Sequence, residues 1–355
     1  MSKKKILHLV EAFGGGVFTL LSELCNGLEN EFDIIIAYSI REQTPINFKE
    51  YFNSNVKFIK IKNFTREINP IEDIKAFFEV KKVYNQEKPD IVHLHSSKAG
   101  IIGRLAINGK KTKLFYTPHG YSFLKEDDSK LKRFIYKAIE KIGTISKCTT
   151  IACSKGEYDV TLELTKNAIY INNGINLGEI QKLNEDNKNI DYQNLKICTV
   201  GRISYQKNPK IFNKIAEKLA DIKFIWIGDG ELKNELTSPN IEITGWKNRE
   251  ESLKTLNNCD IFILPSLWEG LPISLLEAMY LKKVCIVSNV IGNKDVIKDG
   301  INGFIANNED EYSNLIINLY TYNIKNILGN AKNDVITEYN ISNMKNKYSE
   351  VYRKE

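Results

Sequence analysis

Short apolar runs alternate with longer amphipathic stretches along the whole chain, and no other feature constrains the fold as tightly. Parallel strands are buried on both faces and joined by crossovers, so each strand reads as an apolar run and each crossover as a helical pattern. Ile6 to Val10, Phe32 to Ala37, Val56 to Ile61, Ile91 to Leu94, Leu114 to Thr117 and Thr149 to Cys153 read as one set of such strands. Leu195 to Val200, Lys223 to Ile227, Ile241 to Ile243, Ile261 to Leu264 and Val284 to Val287 read as a second. Helical segments such as Pro70 to Gln86 lie between them. The expected class is α/β with parallel sheets. At 355 residues the chain is longer than the ~100–200 residues typical of one domain, so two domains with a cleft between them are expected.

The two sets are separated by YINNGINLGEIQKLNEDNKNIDYQNL, Tyr170 to Leu195, whose Asn, Gly and Asp favour turns and exposed loop. The boundary is placed near residue 176, giving domains over 1–175 and 176–337. The tail is helical in composition, and Asn340 to Tyr352 is expected to form a last helix. The pattern alone leaves open which domain that helix joins.

With 42% hydrophobic and 26% charged residues the chain can build packed cores, which excludes a disordered or collagen-like protein. The opening MSKKKILHLVEAF has an apolar run of only Ile6 to Val10, short of a signal-peptide core, and no run elsewhere approaches the ~20 residues that span a bilayer. A cytosolic protein is expected. Cys25, Cys148, Cys153, Cys198, Cys259 and Cys285 show no CxxC spacing and several sit in apolar runs, so they read as buried thiols. The four histidines show no HExxH-like spacing, and no metal is expected. The net charge of +6 comes without a compact basic tract interleaved with aromatics, which argues against nucleic acid as a partner.

Chemistry in α/β proteins collects at the carboxyl ends of parallel strands, and the candidate residues sit there. AFGGGVFTLL places Gly15 and Gly16 at a strand-to-helix turn, where backbone amides and a helix N-terminus suit an anion, although a tight turn alone explains the same glycines. In HLHSSKAG, Ser96 and Lys98 suit a phosphate or an acceptor hydroxyl, or else a helix cap. In TPHGYSF, His119 lies between Pro118 and Gly120 at a strand end and suits a hydrogen bond to sugar or phosphate. Residues 130–146, KLKRFIYKAIEKIGTIS, have apolar residues at helical spacing among lysines. Such a helix lies on an anionic bilayer, or packs its apolar face on the core with its lysines in water.

In the second half, VGRISYQKNP offers Gly201, Arg202 and Lys207 from one loop, a cation pair fit to clamp a diphosphate. Gly228, Gly245 and Trp246 follow later strands. The strongest signal is ILPSLWEGLPISLLEAMYLKKVCIVS. A strand ends at Ser266, a loop carries Glu269 and Gly270, and Pro272 suits the first turn of a helix. Amides around Gly270, Leu271 and Ile273 would meet a diphosphate, Glu277 would reach ribose hydroxyls, and Glu269 would reach a sugar.

EGLPISLLE resembles the ExxxxxxxE signature of retaining glycosyltransferases of the GT-B fold, family 4. The resemblance extends through the glycine loop, HSSKAG, PHG, NNGIN, GRISYQKN, GDG, TGW and SNVIGNKDVIKDGINGFI. It implies two facing Rossmann-like domains, with a C-terminal helix over about 338–355 crossing back onto the first, which would bind the acceptor. The second domain would bind the nucleotide sugar. It further implies Arg202 and Lys207 as the diphosphate clamp, Glu277 as ribose ligand and Glu269 as donor-sugar ligand. His119 would contact sugar or phosphate, Gly15 or Gly16 would close over the diphosphate, and Gly245 and Trp246 would line the base. No cofactor or metal would be needed and no enzyme base is assigned, since the leaving phosphate would take the acceptor's proton. Asn176 stands where many members carry Asp, which weakens any role there. The HSSKAG and TPHGYSF forms resemble members that build O-antigen, capsule and other lipid-linked glycans. They imply a UDP-hexose or UDP-N-acetylhexosamine donor, a polyprenyl-diphosphate saccharide acceptor, and a place at the cytoplasmic membrane face. Two alternatives stand beside this: a sugar-nucleotide epimerase on the same scaffold, and a non-catalytic nucleotide-sugar-binding partner of another transferase.

Overall fold

A computed structural model of the chain describes residues 3–65, 69–125, 128–183 and 190–354; the 184–189 portion of the expected hinge lies outside them. The chain divides into two compact units, Met1–Asn173 with Ile341–Glu355, and Gly174–Asn340. The expected bounds were 175/176 and 337/338.

The first unit alternates β1 (Lys4–Phe13), α1 (Gly15–Leu28), β2 (Phe32–Ile40), β3 (Lys57–Lys60), α2 (Pro70–Glu87), β4 (Ile91–His95), α3 (Ser97–Ala106), β5 (Lys113–Thr117), α4 (Lys130–Gly143), β6 (Thr149–Ala152), α5 (Lys155–Leu162) and β7 (Ala168–Tyr170). Its strands form one sheet in the order β3-β2-β1-β4-β5-β6-β7, parallel at every pairing. The second unit contains α6 (Leu177–Gln181), β8 (Lys196–Val200), α7 (Pro209–Lys218), β9 (Lys223–Ile227), β10 (Ile241–Ile243), α8 (Arg249–Asn257), β11 (Ile261–Leu264), α9 (Ile273–Tyr280), β12 (Val284–Ser288), α10 (Asn293–Val296), β13 (Phe304–Ala306), α11 (Glu309–Ile317) and α12 (Ile324–Thr337). Its sheet runs β10-β9-β8-β11-β12-β13, again parallel throughout. The last helix, α13 (Ile341–Arg353), belongs to the first unit. There the Tyr352 hydroxyl meets His93 on β4, and Arg353 pairs with Glu31.

The strand interiors are mostly apolar, as burial on both faces favours, with His8, His93 and His95 among the buried exceptions in β1 and β4. Leu7, Leu9, Val92 and Leu94 lie in the first core; Ile197, Trp226, Ile261, Ile263 and Ile286 lie in the second. The six cysteines are buried and free of disulfides. Two strands, β7 and β13, were not expected. Each has three residues at a sheet edge, too few for a periodic signal.

Each sheet reverses its winding once, between β1 and β4 and between β8 and β11. Connections leave in opposite directions at such a point, so the loops beyond the carboxyl ends of those strands part and leave room for a ligand.

Candidate functional site

At the switch point of the second unit the loops after β8 and β11 are tied together. Lys207 Nζ donates to Glu269 Oε1 at 2.6 Å, Gln206 Nε2 donates to the Trp268 carbonyl at 2.9 Å, and the Leu267 amide donates to the Gln206 carbonyl at 2.8 Å. Glu269 is 6% exposed, so its charge is balanced by a cation rather than by water. Beyond Gly270 and Leu271, Pro272 takes the N-cap of α9 with an extended ψ of 121°, one position before the first turn, where the sequence suggested it. It places no side chain over the helix N-terminus, whose amides carry the positive end of the dipole. Gly292 braces the loop from the other side. Its φ is +85°, and a Cβ there would fall 2.4 Å from the Gly270 carbonyl oxygen, so only glycine fits.

Glu277 sits in the second turn of α9, 5% exposed. Arg249, the first residue of α8, donates from Nη1 to Glu277 Oε1 at 2.6 Å and from Nε to Glu179 Oε2 at 2.7 Å. Burial pushes the Glu277 carboxyl above the usual carboxylate range, and Arg249 draws it back only in part. Burial also opposes the Arg249 charge, but Glu277 and Glu179 outweigh it and keep the guanidinium protonated. The sequence reading singled out neither Arg249 nor Glu179.

Arg202 and Lys207 leave the same loop but face different carboxylates. Arg202 Nε donates to the exposed Glu231 at 2.8 Å, whereas Lys207 faces the buried Glu269. Gly228, at φ +143°, lets the loops after β8 and β9 approach, since a Cβ there would come 2.2 Å from the Gly201 carbonyl oxygen. Gly228 bridges to Gly245, and Trp246 beside it is 50% exposed.

In the first unit the switch-point loops follow β1 and β4. Gly15 and Gly16 are exposed at the start of α1, whose N-cap Gly14 provides no side-chain cap. Ser96 is the N-cap of α3, but its hydroxyl makes no capping bond. Lys98 pairs with Asp73 at 2.7 Å and donates to Thr65 at 2.8 Å, so its charge is already matched.

His119 follows β5 at φ +55°, in a loop held by the Gly120 amide donating to the buried Glu157 carboxylate at 2.6 Å. Its Nε2 lies 3.1 Å from His95 Nδ1, and His95 Nε2 lies 3.0 Å from His8 Nδ1. His93, paired with His8 in the sheet register, meets Thr117 Oγ1 at 2.9 Å and the Tyr352 hydroxyl at 2.6 Å. All four histidines of the chain are thereby gathered in one place. Burial pushes His8 down to about 3 and His119 down to about 4; burial and the neighbouring imidazoles hold His93 and His95 well below the ordinary value. The group is therefore neutral at physiological pH. His8, His93 and His95 offer ring nitrogens within 4.8 Å of one another, a cluster that sequence spacing did not reveal.

The α4 helix is amphipathic as expected, with its apolar side outward. Its buried residues are Glu140 and Gly143. Glu140 accepts from Arg104 at 2.7 Å and from the Tyr116 hydroxyl at 2.9 Å, and a Cβ on Gly143 would come 2.4 Å from the Arg104 guanidinium carbon. Leu131 and Phe134 are each 70% exposed, and Ile135 and Ile142 are exposed with them. Packing of that face on the core, the second option for this helix, is not what the structure has. Among the described residues no helix is long and apolar enough to cross a membrane.

Known proteins share both halves of this arrangement. The family model described as glycosyl transferases group 1 matches residues 181–333, and that described as glycosyl transferase 4-like matches residues 5–155. The UDP-Gal:alpha-D-GlcNAc-diphosphoundecaprenol alpha-1,3-galactosyltransferase of Escherichia coli is 30% identical over 99% of this chain and 97% of its own length. The chain is a family 4-like glycosyltransferase. Its fold is GT-B. Sucrose-phosphate synthase from Thermosynechococcus elongatus superposes with a TM-score of 0.81 at 14% identity, covering 99% of this chain and 98% of its own. Anabaena HepE in complex with UDP and glucose gives 0.76 at 15% identity, covering 98% and 99%. In this glycosyltransferase the switch-point loops carry Gly15, Gly16, Ser96, Arg202, Lys207 and Glu269 of the residues that the sequence singled out, while His119, Gly228, Gly245 and Trp246 follow the neighbouring strands; the fold adds Arg249, Glu179, Gln206, Gly292 and the histidine group.

Proposed function

We propose that the protein transfers a hexose or N-acetylhexosamine from a UDP-sugar to a saccharide carried on a polyprenyl diphosphate, with retention of anomeric configuration and without a metal ion. The observation that carries this reading is the Lys207–Glu269 pair beside the uncapped start of α9. Two tied loops there offer a cation and helix amides to a departing diphosphate and a carboxylate to sugar hydroxyls. Arg202 adds a second cation, Gly201 and Gly228 the close backbone approach, and Gly270, Leu271, Pro272 and Ile273 the helix start. Glu277 accepts from ribose hydroxyls, Gly245 and Trp246 line the base, and Gly15 and Gly16 supply amides for phosphate. As the bond from the anomeric carbon to phosphate breaks, the acceptor oxygen bonds to that carbon on the same face. The leaving phosphate oxygen takes the acceptor's proton, so no enzyme base is invoked. The Escherichia coli relative is named for a UDP-sugar donor and a diphosphoundecaprenol-linked acceptor, and it supports the same substrate classes here. Ser96 keeps an uncapped hydroxyl for the acceptor; Lys98, paired with Asp73, orders that loop.

The outward apolar face of α4, set among Lys130, Lys132, Arg133, Lys137 and Lys141, is read as the contact with an anionic membrane surface. This would hold the enzyme peripherally at the cytoplasmic face, where lipid-linked acceptors are met. The test is product analysis by mass spectrometry with UDP-galactose, UDP-glucose, UDP-N-acetylglucosamine and UDP-N-acetylgalactosamine, polyprenyl-diphosphate saccharides, and EDTA. Transfer that survives EDTA with retained configuration is expected. An epimerised UDP-sugar in place of a glycosylated lipid would overturn the reading in favour of the epimerase. Vesicles of phosphatidylglycerol, but not phosphatidylcholine, should pellet the protein, and Phe134→Ser with Ile135→Ser should abolish that.

A further inference from the structure

The histidine group has a direction. A neutral imidazole carries one proton, so it donates at one nitrogen and accepts at the other. His95 is bonded at both nitrogens, to His8 Nδ1 and to His119 Nε2. Two arrangements satisfy both bonds. Either protons sit on Nδ1 of all three rings and the chain donates from His8 through His95 to His119, or they sit on Nε2 of all three and it runs the other way.

The two ends of the chain choose between them. At the inner end, His8 Nε2 is buried and has no partner among the described residues. In the second arrangement that atom would be an orphaned buried N–H, the rarer and costlier defect; in the first it is only an unused lone pair. At the outer end, His119 Nδ1 has no partner among the described residues. In the first arrangement it carries a hydrogen, and in the second a lone pair that would repel phosphate oxygens and could only accept from a sugar hydroxyl.

We propose that His8 and His95 are positioning residues for the transfer: they fix His119 as its Nδ1–H tautomer, so that the loop after β5 meets an oxygen of the donor as a hydrogen-bond donor. This rests on the reading that His119 contacts the donor. The relay matters because His119, held neutral by burial, cannot serve as a cationic donor from both nitrogens. A metal at His8, His93 and His95 is the competing use of these rings. It would have to displace one hydroxyl, that of Tyr352 or that of Thr117, from His93 and bring a charge in among neutral groups.

With four histidines in the chain, selective 15N-histidine labelling gives four imidazole systems to assign. Long-range 1H–15N correlation of the ligand-free protein at pH 7 should show His8, His95 and His119 each neutral and protonated at Nδ1. Protonation of His119 at Nε2, or a doubly protonated ring, overturns the relay, as does a stoichiometric zinc-induced shift of His8 and His95 with no loss of transfer. His8→Leu removes the first donor and should lower kcat/KM for the UDP-sugar selected by the panel above by about tenfold. His8→Asn restores an N–H near the Nδ1 position and should recover most of that loss; equal loss in both variants overturns the proposal. His119→Ala separates the two readings. Unchanged kcat/KM there overturns the donor contact, whatever tautomer the spectra show, whereas a loss there together with Nε2 protonation in the wild type overturns the relay alone.

Discussion

The two units carry parallel sheets of similar winding and gather opposite chemistry within and beyond their strands. The first gathers four imidazoles that burial keeps neutral. The second, which has no histidine, gathers ion pairs: Lys207 with Glu269, Arg249 with Glu277 and Glu179, and Arg202 with Glu231. A neutral network orients hydrogen bonds without the desolvation cost of charge, and suits hydroxyl groups. A cation held by a buried carboxylate, as Lys207 is by Glu269, is fixed in place before a diphosphate arrives and needs little reorganisation when charge grows on it.

The comparison can be broken by acid, where the largest effect is expected. His8 and His119 have folded values of about 3 and about 4, below the 6.5 of an unperturbed histidine, and His93 and His95 also lie well below it. Between those values and 6.5 the unfolded chain binds more protons. The stability that these neutral rings contribute is therefore present above about pH 6.5 and falls as pH drops toward their folded values, with a limiting slope of about 1.4 kcal/mol per pH unit for a single ring. The hydroxyls that face the cluster include Thr117 and, from α13, Tyr348 and Tyr352, which burial keeps protonated. Hydrogen exchange at pH 5, corrected for intrinsic rate, should show β4 and β5 deprotected ahead of β11 and β12. Equal loss in both units would refute the contrast.

Glu277→Ala sharpens the other side of it. Removing one partner of a buried pair costs about 3–5 kcal/mol, here reduced because Arg249 keeps Glu179. Urea denaturation should show that loss, and calorimetry should show UDP affinity weakened by about 1.5–3 kcal/mol. A Glu277→Leu, Arg249→Met double variant removes both buried charges and should recover stability without recovering UDP affinity. Recovery of both would remove Glu277 from the ligand site. Lys207→Ala should lower kcat about 10²-fold by taking a cation from the leaving group, with Lys207→Arg in between. An unchanged rate would take Lys207 out of the chemistry.

The sequence was legible where its signals are local. The apolar runs located eleven of the strands, and the run from Ser266 to Glu277 located the loop that joins β11 to α9. What it hid is carried by distance. Arg249 stands 28 residues from Glu277 and 70 from Glu179, and only the parallel crossovers bring them together. His8 and His93 meet through a strand register, and each looks like a lone histidine until β1 and β4 pair. For α4 the periodicity was plain but its orientation was not. The anchor is Arg104, 36 residues away, which draws Glu140 inward and turns Leu131 and Phe134 to the outside.

The smallest expected effect separates the two cations of one loop. Lys207 pairs with a carboxylate that is 7% exposed in its side chain, Arg202 with one that is 44% exposed. An ion pair at so wet a carboxylate is worth ~0–1 kcal/mol, so Glu231→Gln should barely move the urea midpoint. If Arg202 turns from Glu231 to a diphosphate, however, that pair competes with the donor, and its loss should tighten UDP binding by about twofold to fivefold. Glu269→Gln, by contrast, should leave Lys207 partly buried without its counter-charge and lower both stability and turnover. Weaker UDP binding in Glu231→Gln would mean that Glu231 holds Arg202 in its working position, and the two pairs would then be alike in kind.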